Sequence, residues 1–122
     1  MDTKLSLKLE QFLKTCDEVK KQYDFNFEIV GKCDEITCDY LHKLELSKTT
    51  SNEKAKMATA ERKNRLKRRE AKDIVEVDEP LRKFILSPEG TKAINMLRQT
   101  LGDIRKVEKY HENRTYVERN KI

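Results

Sequence analysis

The chain has 122 residues, the usual size of one folded domain, so we expect a single helical domain over residues 1–122. Charged residues make up 40% of it, and with only three Gly and two Pro this composition is typical of long solvated helices and argues against a sheet. The net charge of +5 is modest, and three cysteines without a CxxC spacing argue against a disulfide scaffold and predict a reduced, cytoplasmic protein.

The first 46 residues carry apolar side chains at helical spacing. Two sets advance by threes and fours, and each set falls on one side of a 3.6-residue helix. The sets are Leu5, Leu9, Phe12, Cys16, Val19 and Tyr23, then Phe25, Ile29, Cys33, Ile36, Tyr40 and Leu44. Nothing between Tyr23 and Phe25 breaks a helix, so residues 1–46 form either a helical hairpin or one long helix bent near Gly31.

A polar linker over residues 47–52 separates this part from a basic helix. Thr50 stands three residues before Glu53, which is the spacing of a capping box, and a helix is predicted over 53–77. A narrow seam of mostly small or apolar residues recurs along it at steps of three, four and seven, formed by Met57, Ala60, Asn64, Ala71 and Val75. Small side chains on the seam indicate close packing against another helix.

Two further start signals follow the basic helix. Pro80 predicts a restart and a short helix over 79–86, and Ser87 followed by Pro88 predicts an amphipathic helix over 88–112. Residues 113–122 have no helical period and are expected to be a short extended tail. The chain is therefore predicted to be all-α, a bundle of four or five helices, and its several apolar faces predict a homo-oligomer.

Positive charge is concentrated in the basic helix. Residues 53–73 hold nine basic and four acidic side chains, a surplus equal to the net charge of the whole chain. On a helical wheel, six of the basic residues form one stripe: Lys54, Arg62, Arg65, Arg68, Arg69 and Lys72. The region from residue 92 to the end is also positive and contributes three further candidates, Arg105, Arg114 and Arg119.

This stripe predicts an anionic partner, and it has a simpler alternative explanation. Nucleic acid, a phosphorylated ligand or an acidic protein surface would each suit it. Alternatively, the same cations are a solvated face, or they neutralise acidic residues of the preceding helical segment without any outside partner. No apolar run reaches the length of a signal peptide or a membrane span, so we expect no membrane partner.

No catalytic, cofactor or metal site is predicted. His42 and His111 have no Cys or carboxylate at a recognisable metal spacing, and the isolated glycines do not form a phosphate-binding loop. The three cysteines, Cys16, Cys33 and Cys38, lie on or beside apolar faces and are expected to be buried. Gly102 within the last helix suggests a close backbone contact or a kink. We therefore expect a protein that is not an enzyme and has no cofactor.

Four segments resemble small uncharacterised helical proteins encoded by phages and prophages of Gram-positive bacteria. They are Tyr23-Asp-Phe-Asn-Phe-Glu, Asp39-Tyr-Leu-His-Lys-Leu-Glu-Leu, Asn52-Glu-Lys-Ala-Lys-Met-Ala-Thr and Asn113-Arg-Thr-Tyr-Val. The resemblance spans most of the chain, implies a viral protein in the bacterial host cytoplasm, and carries over no site residues.

Two functions fit this resemblance and the charge pattern. The first is a binding protein that inhibits a host protein, such as a component of a defence system, by occupying its surface. The second is a nucleic-acid-binding accessory of phage replication or packaging. Protein-directed inhibition ranks first, because the net charge is modest and aromatic residues do not alternate with the basic stripe. A sponge for a nucleotide signal is a third hypothesis, which needs a pocket between protomers.

Overall fold

The structure is a computed structural model and describes residues 4–115 and Asn120. Three helices account for nearly all of these residues: α1 (Leu5–Leu46), α2 (Ser51–Leu86) and α3 (Pro88–Asn113). No strand occurs in the described ranges. The all-α prediction is confirmed.

The chain divides into two compact units. The end unit combines Met1–Cys16 with Phe84–Ile122, and the hairpin unit is Asp17–Lys83. Helix α1 contributes its first part to the end unit and the remainder to the hairpin unit. The single domain expected over residues 1–122 stays a prediction.

The end unit has a small aliphatic core. Its buried members are Leu13, Cys16, Ile85, Ile94 and Leu101, with Leu9 and Leu97 packed against them. The predicted start of the last helix is confirmed, because Ser87 Oγ accepts a hydrogen bond from the Gly90 N–H at 3.0 Å and Pro88 follows the cap. Gly90 is buried, and a Cβ there would overlap the backbone carbonyl of Phe84.

A carboxylate of α3 caps the start of α1 within the end unit. The Ser6 N–H, one of the donors that a helix start leaves unpaired, donates to Glu108 Oε2 at 3.3 Å. This hydrogen bond holds the pKa of Glu108 below its ordinary value of 4.5. Next to it, the Lys4 ammonium is bonded to Glu112, and this contact raises the pKa of Lys4.

The hairpin unit consists of two antiparallel helical segments. Contacts run in opposite directions along α1 and α2, because Gln22 meets Asp78 while Thr37 meets Glu61. Cys33 and Ala71 are almost fully buried between the helices. The buried Asn64 donates Nδ2 to the Cys33 carbonyl at 2.8 Å and to Thr37 Oγ1 at 3.2 Å. A polar pair in an otherwise closely packed seam fixes the helix register.

The helix count predicted from the sequence is wrong, because α2 does not restart at Pro80. Pro80 lies inside the helix and is exposed, so its ring and the unpaired carbonyl one turn earlier face solvent. Contacts on both sides hold the helix against α1. Before the proline, Gln22 Nε2 donates to the buried Asp78 at 2.8 Å, and after it Arg82 lies over the Tyr23 ring. The predicted helices over 53–77 and 79–86 are therefore one.

The remaining helix boundaries lie close to those predicted from the sequence. Residues 5–46 form one helix, which decides between the two alternatives for this part. Thr50 caps α2 as predicted, since its Oγ1 accepts from the Glu53 N–H at 3.2 Å, although the helix already begins at Ser51. Most of the predicted tail over 113–122 lies outside the described residues.

Candidate basic interface

Helix α2 places the basic stripe along one side of the hairpin unit. We call this surface the basic face and define it by its six cations, Lys54, Arg62, Arg65, Arg68, Arg69 and Lys72. Four of them are exposed, whereas Arg68 and Lys72 are half-buried because they lie nearest to the seam with α1. The structure thus brings together all six residues that the wheel predicted as one stripe.

Two arginines of the basic face are held by a single carboxylate of α1. Arg68 Nε lies 2.6 Å from Asp34 Oδ1, and Arg65 Nη1 lies 3.6 Å from the same oxygen. The side chain of Arg68 is only 17% exposed, so its contact is shielded better than an ordinary surface ion pair. The simpler explanation of the stripe is that its cations neutralise acidic residues of α1. This explanation therefore applies to Arg65 and Arg68.

The other four cations are less constrained. Arg69 Nη1 lies 3.8 Å from Asp73 on the next turn of the same helix, a contact between two exposed side chains. Within the described part of the chain, Lys54, Arg62 and Lys72 form no ion pair. These three cations are available to an outside anion.

An aromatic pair, the half-buried Tyr23 and the exposed Phe27, lies on the side of α1 that carries Asp34, and the sequence did not predict this arrangement. The Tyr23 and Phe27 rings are stacked with their centroids 5.9 Å apart, and the Arg82 guanidinium lies 4.1 Å from the Tyr23 centroid. Phe27 is 59% exposed and lies two helical turns before Asp34 on the same side of α1. In the sequence, the spacing of four residues between Tyr23 and Phe27 indicates that both rings lie on one side of a helix. It does not show which cations of α2 lie opposite these rings.

The candidates outside α2 belong to the end unit. Arg105 Nη2 contacts Glu10 Oε2 at 3.1 Å, so its charge is already paired. Arg114 is exposed just beyond α3, and Arg119 lies outside the described residues. Participation of these three arginines in binding stays a prediction.

The residues considered for chemistry do not assemble. Among the described residues, no group of three or more His, Cys, Asp or Glu could hold a metal ion. His42 and His111 are both exposed. Cys16 and Cys33 are buried as expected, but Cys38 is exposed, because it lies on the side of α1 turned away from α2. None of the described helices combines the length and the apolar character that crossing a membrane requires.

Comparison with models of known protein families, with curated proteins and with solved structures finds no match for this chain.

Proposed function

We propose that the chain is a non-enzymatic binding protein whose basic face occupies an acidic surface of another protein. The observation that carries this proposal is the fixing of Arg65 and Arg68 on Asp34. An arginine whose side chain is already ordered loses less conformational entropy when it binds, and its planar fork suits carboxylates. Arginines and aromatic residues are typical of the residues that dominate protein interfaces, and the exposed Phe27 lies on the same side of α1 as Asp34.

The charge balance of the face also favours a protein partner. Four of the arginines on this side of the hairpin contact carboxylates of the same unit: Arg65 and Arg68 contact Asp34, Arg69 contacts Asp73, and Arg82 contacts Asp24 at 3.8 Å. A surface for the nucleic-acid backbone gains affinity from each cation that releases counterions from phosphates. Cations already paired with carboxylates contribute less of this gain, so a mixed surface suits a protein better.

The resemblance to phage proteins specifies the role further. We propose that the occupied partner is a host protein, such as a component of a defence system, and that occupation inhibits it. Inhibition of this kind needs only that the bound surface be one the host protein uses, so it requires no catalytic residue in this chain.

A second function, binding of nucleic acid in phage replication or packaging, is favoured by one observation. The exposed Phe27 ring, stacked on the half-buried Tyr23, forms an aromatic platform on the side of α1 that also carries Asp34 and its arginines. Unpaired bases stack on such platforms next to cations. The two functions therefore share a surface, and they differ in whether nuclease treatment removes the partner.

The test is affinity capture from a bacterial lysate, with and without nuclease. The informative variant is Lys54→Glu with Arg62→Glu, because both side chains are exposed and form no ion pair in the described chain, so reversal breaks no internal contact. The matched control is Lys92→Glu with Lys106→Glu, which makes the same change in net charge at exposed positions on α3.

The proposal predicts that a protein is captured after nuclease treatment by the parent and by the α3 control, and that the α2 variant loses it. Capture that disappears with nuclease, together with salt-sensitive binding of random-sequence DNA or RNA that the α2 variant lacks, would instead establish the nucleic-acid function. Equal capture by all three proteins would show that the basic face is not the binding surface.

A further inference from the structure

The hairpin unit has a second row of residues on each helix that nothing in the described chain covers. Each row lies one residue before the row that packs between α1 and α2. On α1 it consists of Phe25, Ile29, Lys32, Ile36 and Asp39, and on α2 of Ala60, Lys63, Lys67, Glu70, Ile74 and Val77. Large apolar members remain exposed, with Phe25 at 65% and Val77 at 77%. We call these two rows together the second seam.

The two rows lie on one side of the hairpin. In an antiparallel helix pair, positions that immediately precede the packed positions of both helices point to the same side. A cavity of about 210 Å³ confirms this at one end, because Ile36 and Tyr40 of α1 line it together with Met57 and Ala60 of α2. The arginines on Asp34 lie on the other side, since Asp34 follows the packed Cys33. The second seam and the basic face are therefore separate surfaces.

Charge differs between the two rows. The α1 row holds one charge of each sign, Lys32 and Asp39, and two glutamates, Glu28 and Glu35, lie on its outer edge. The α2 row is mainly basic, with Lys63 and Lys67 beside Glu70. Within the described chain, the contact between Lys32 and Glu35 at 3.5 Å is the one ion pair among these residues. Asp39 of the α1 row and all three charged residues of the α2 row therefore have no ion-pair partner in the described chain.

We propose that a second copy of this chain covers the second seam, with α1 of each copy packed against α2 of the other. The two-fold axis of this dimer runs parallel to the helices of the hairpin, and the result is a four-helix arrangement of two hairpin units. In a closed two-fold dimer, the α1 row of each copy packs against the α2 row of the other, so the same contact occurs twice.

The register of the hairpin predicts which residues meet. A two-fold axis parallel to the helices keeps residues at their level, and Asp34 lies level with Arg68 inside one copy. Asp39, five residues later on α1, therefore meets Lys63 of the second copy, five residues earlier on α2.

The match continues in the other direction. Lys32, two residues before Asp34 on α1, meets Glu70 of the second copy, two residues after Arg68 on α2. One heptad beyond that, Phe25 meets Val77 of the second copy, so the most exposed apolar members of the two rows bury each other. Both charged levels are of opposite sign.

The alternative two-fold axis, perpendicular to the helices, would pack α1 on α1 and α2 on α2. It would separate Phe25 from Val77, whereas the arrangement of α1 on α2 places these two exposed side chains against each other.

Sedimentation of the full chain tests the proposal, because the dimer has twice the 14.5 kDa mass of the monomer. One variant carries Lys32→Glu with Asp39→Lys, and the other carries Lys63→Glu with Glu70→Lys. Each alone places like charges opposite each other at both interfaces, so dimerisation should weaken by about tenfold or more. An equimolar mixture of the two places opposite charges at every level again and should restore the dimer.

Two controls keep this result interpretable. Circular dichroism reports whether each variant retains its helices, and the Lys54→Glu with Arg62→Glu variant of the basic face should dimerise like the parent. A monomeric parent at high micromolar concentration would overturn the proposal. Reversal variants that dimerise as tightly as the parent, or folded variants that fail to recover on mixing, would also overturn it.

Discussion

Two glycines of α3, Gly90 and Gly102, have different surroundings. Gly90 is buried at the start of the helix, where a Cβ would overlap the backbone carbonyl of Phe84. Gly102 has open space where its Cβ would be, and its φ is not positive. The position of Gly102 within the helical sequence suggests a close backbone contact or a kink there, but the close approach occurs at Gly90. Helical position alone does not distinguish them, because the contact depends on the path of the chain around Ser87.

We therefore predict opposite effects for one substitution at these two sites. Gly102→Ala should raise the free energy of unfolding by about 0.5–1 kcal/mol, because alanine restricts the unfolded chain and meets nothing in the folded one. Gly90→Ala should lower it by about 1–3 kcal/mol, because the backbone must move to admit the methyl group. Denaturant unfolding of both variants gives the comparison, and a destabilised Gly102→Ala protein would contradict it.

At the scale of elements, helix starts depend both on local signals and on distant residues. Ser87 and Thr50 cap their helices with their own side chains, and the sequence predicted both starts. Helix α1 differs, because its cap is supplied by Glu108 from α3, more than a hundred positions later in the chain. Pro80 was misinterpreted for a similar reason, since the contacts of Asp78 and Arg82 with α1 keep the helix intact around it. Local patterns predict where helices form, whereas tertiary contacts determine their starts and whether they are interrupted.

The cap on α1 predicts a dependence on pH. The pKa of Glu108 is lowered in the folded chain, so its carboxylate contributes stability that is fully present above the ordinary value of 4.5 and is lost as pH falls through the folded pKa. The chemical shift of the Ser6 amide should therefore titrate below pH 4.5, and the Glu108→Gln variant should lack this inflection. An amide shift that stays constant through that range would show that Glu108 does not cap α1.

At the scale of the whole chain, the sequence predicted which cations of α2 form the candidate site, but it did not predict their contacts with α1. The wheel identified all six cations of the basic face, because they share one helix. It could not show that Asp34 holds two of them, since that carboxylate lies on another helix and only the register of the hairpin brings it near. The aromatic pair on α1 was missed for the same reason. Both contacts change the expected behaviour of the face from a free cationic stripe to a partly ordered protein-binding surface.

Amine labelling of the protein in its captured state tests this central claim most directly. Lys54 and Lys72 belong to the basic face, whereas Lys92 and Lys106 lie on α3, so the four lysines report on two separate surfaces of one chain. We predict that binding of the nuclease-resistant partner slows modification of Lys54 and Lys72 and leaves Lys92 and Lys106 unchanged. Equal modification of Lys54 and Lys72 in the free and captured protein would contradict the assignment of the basic face as the binding surface.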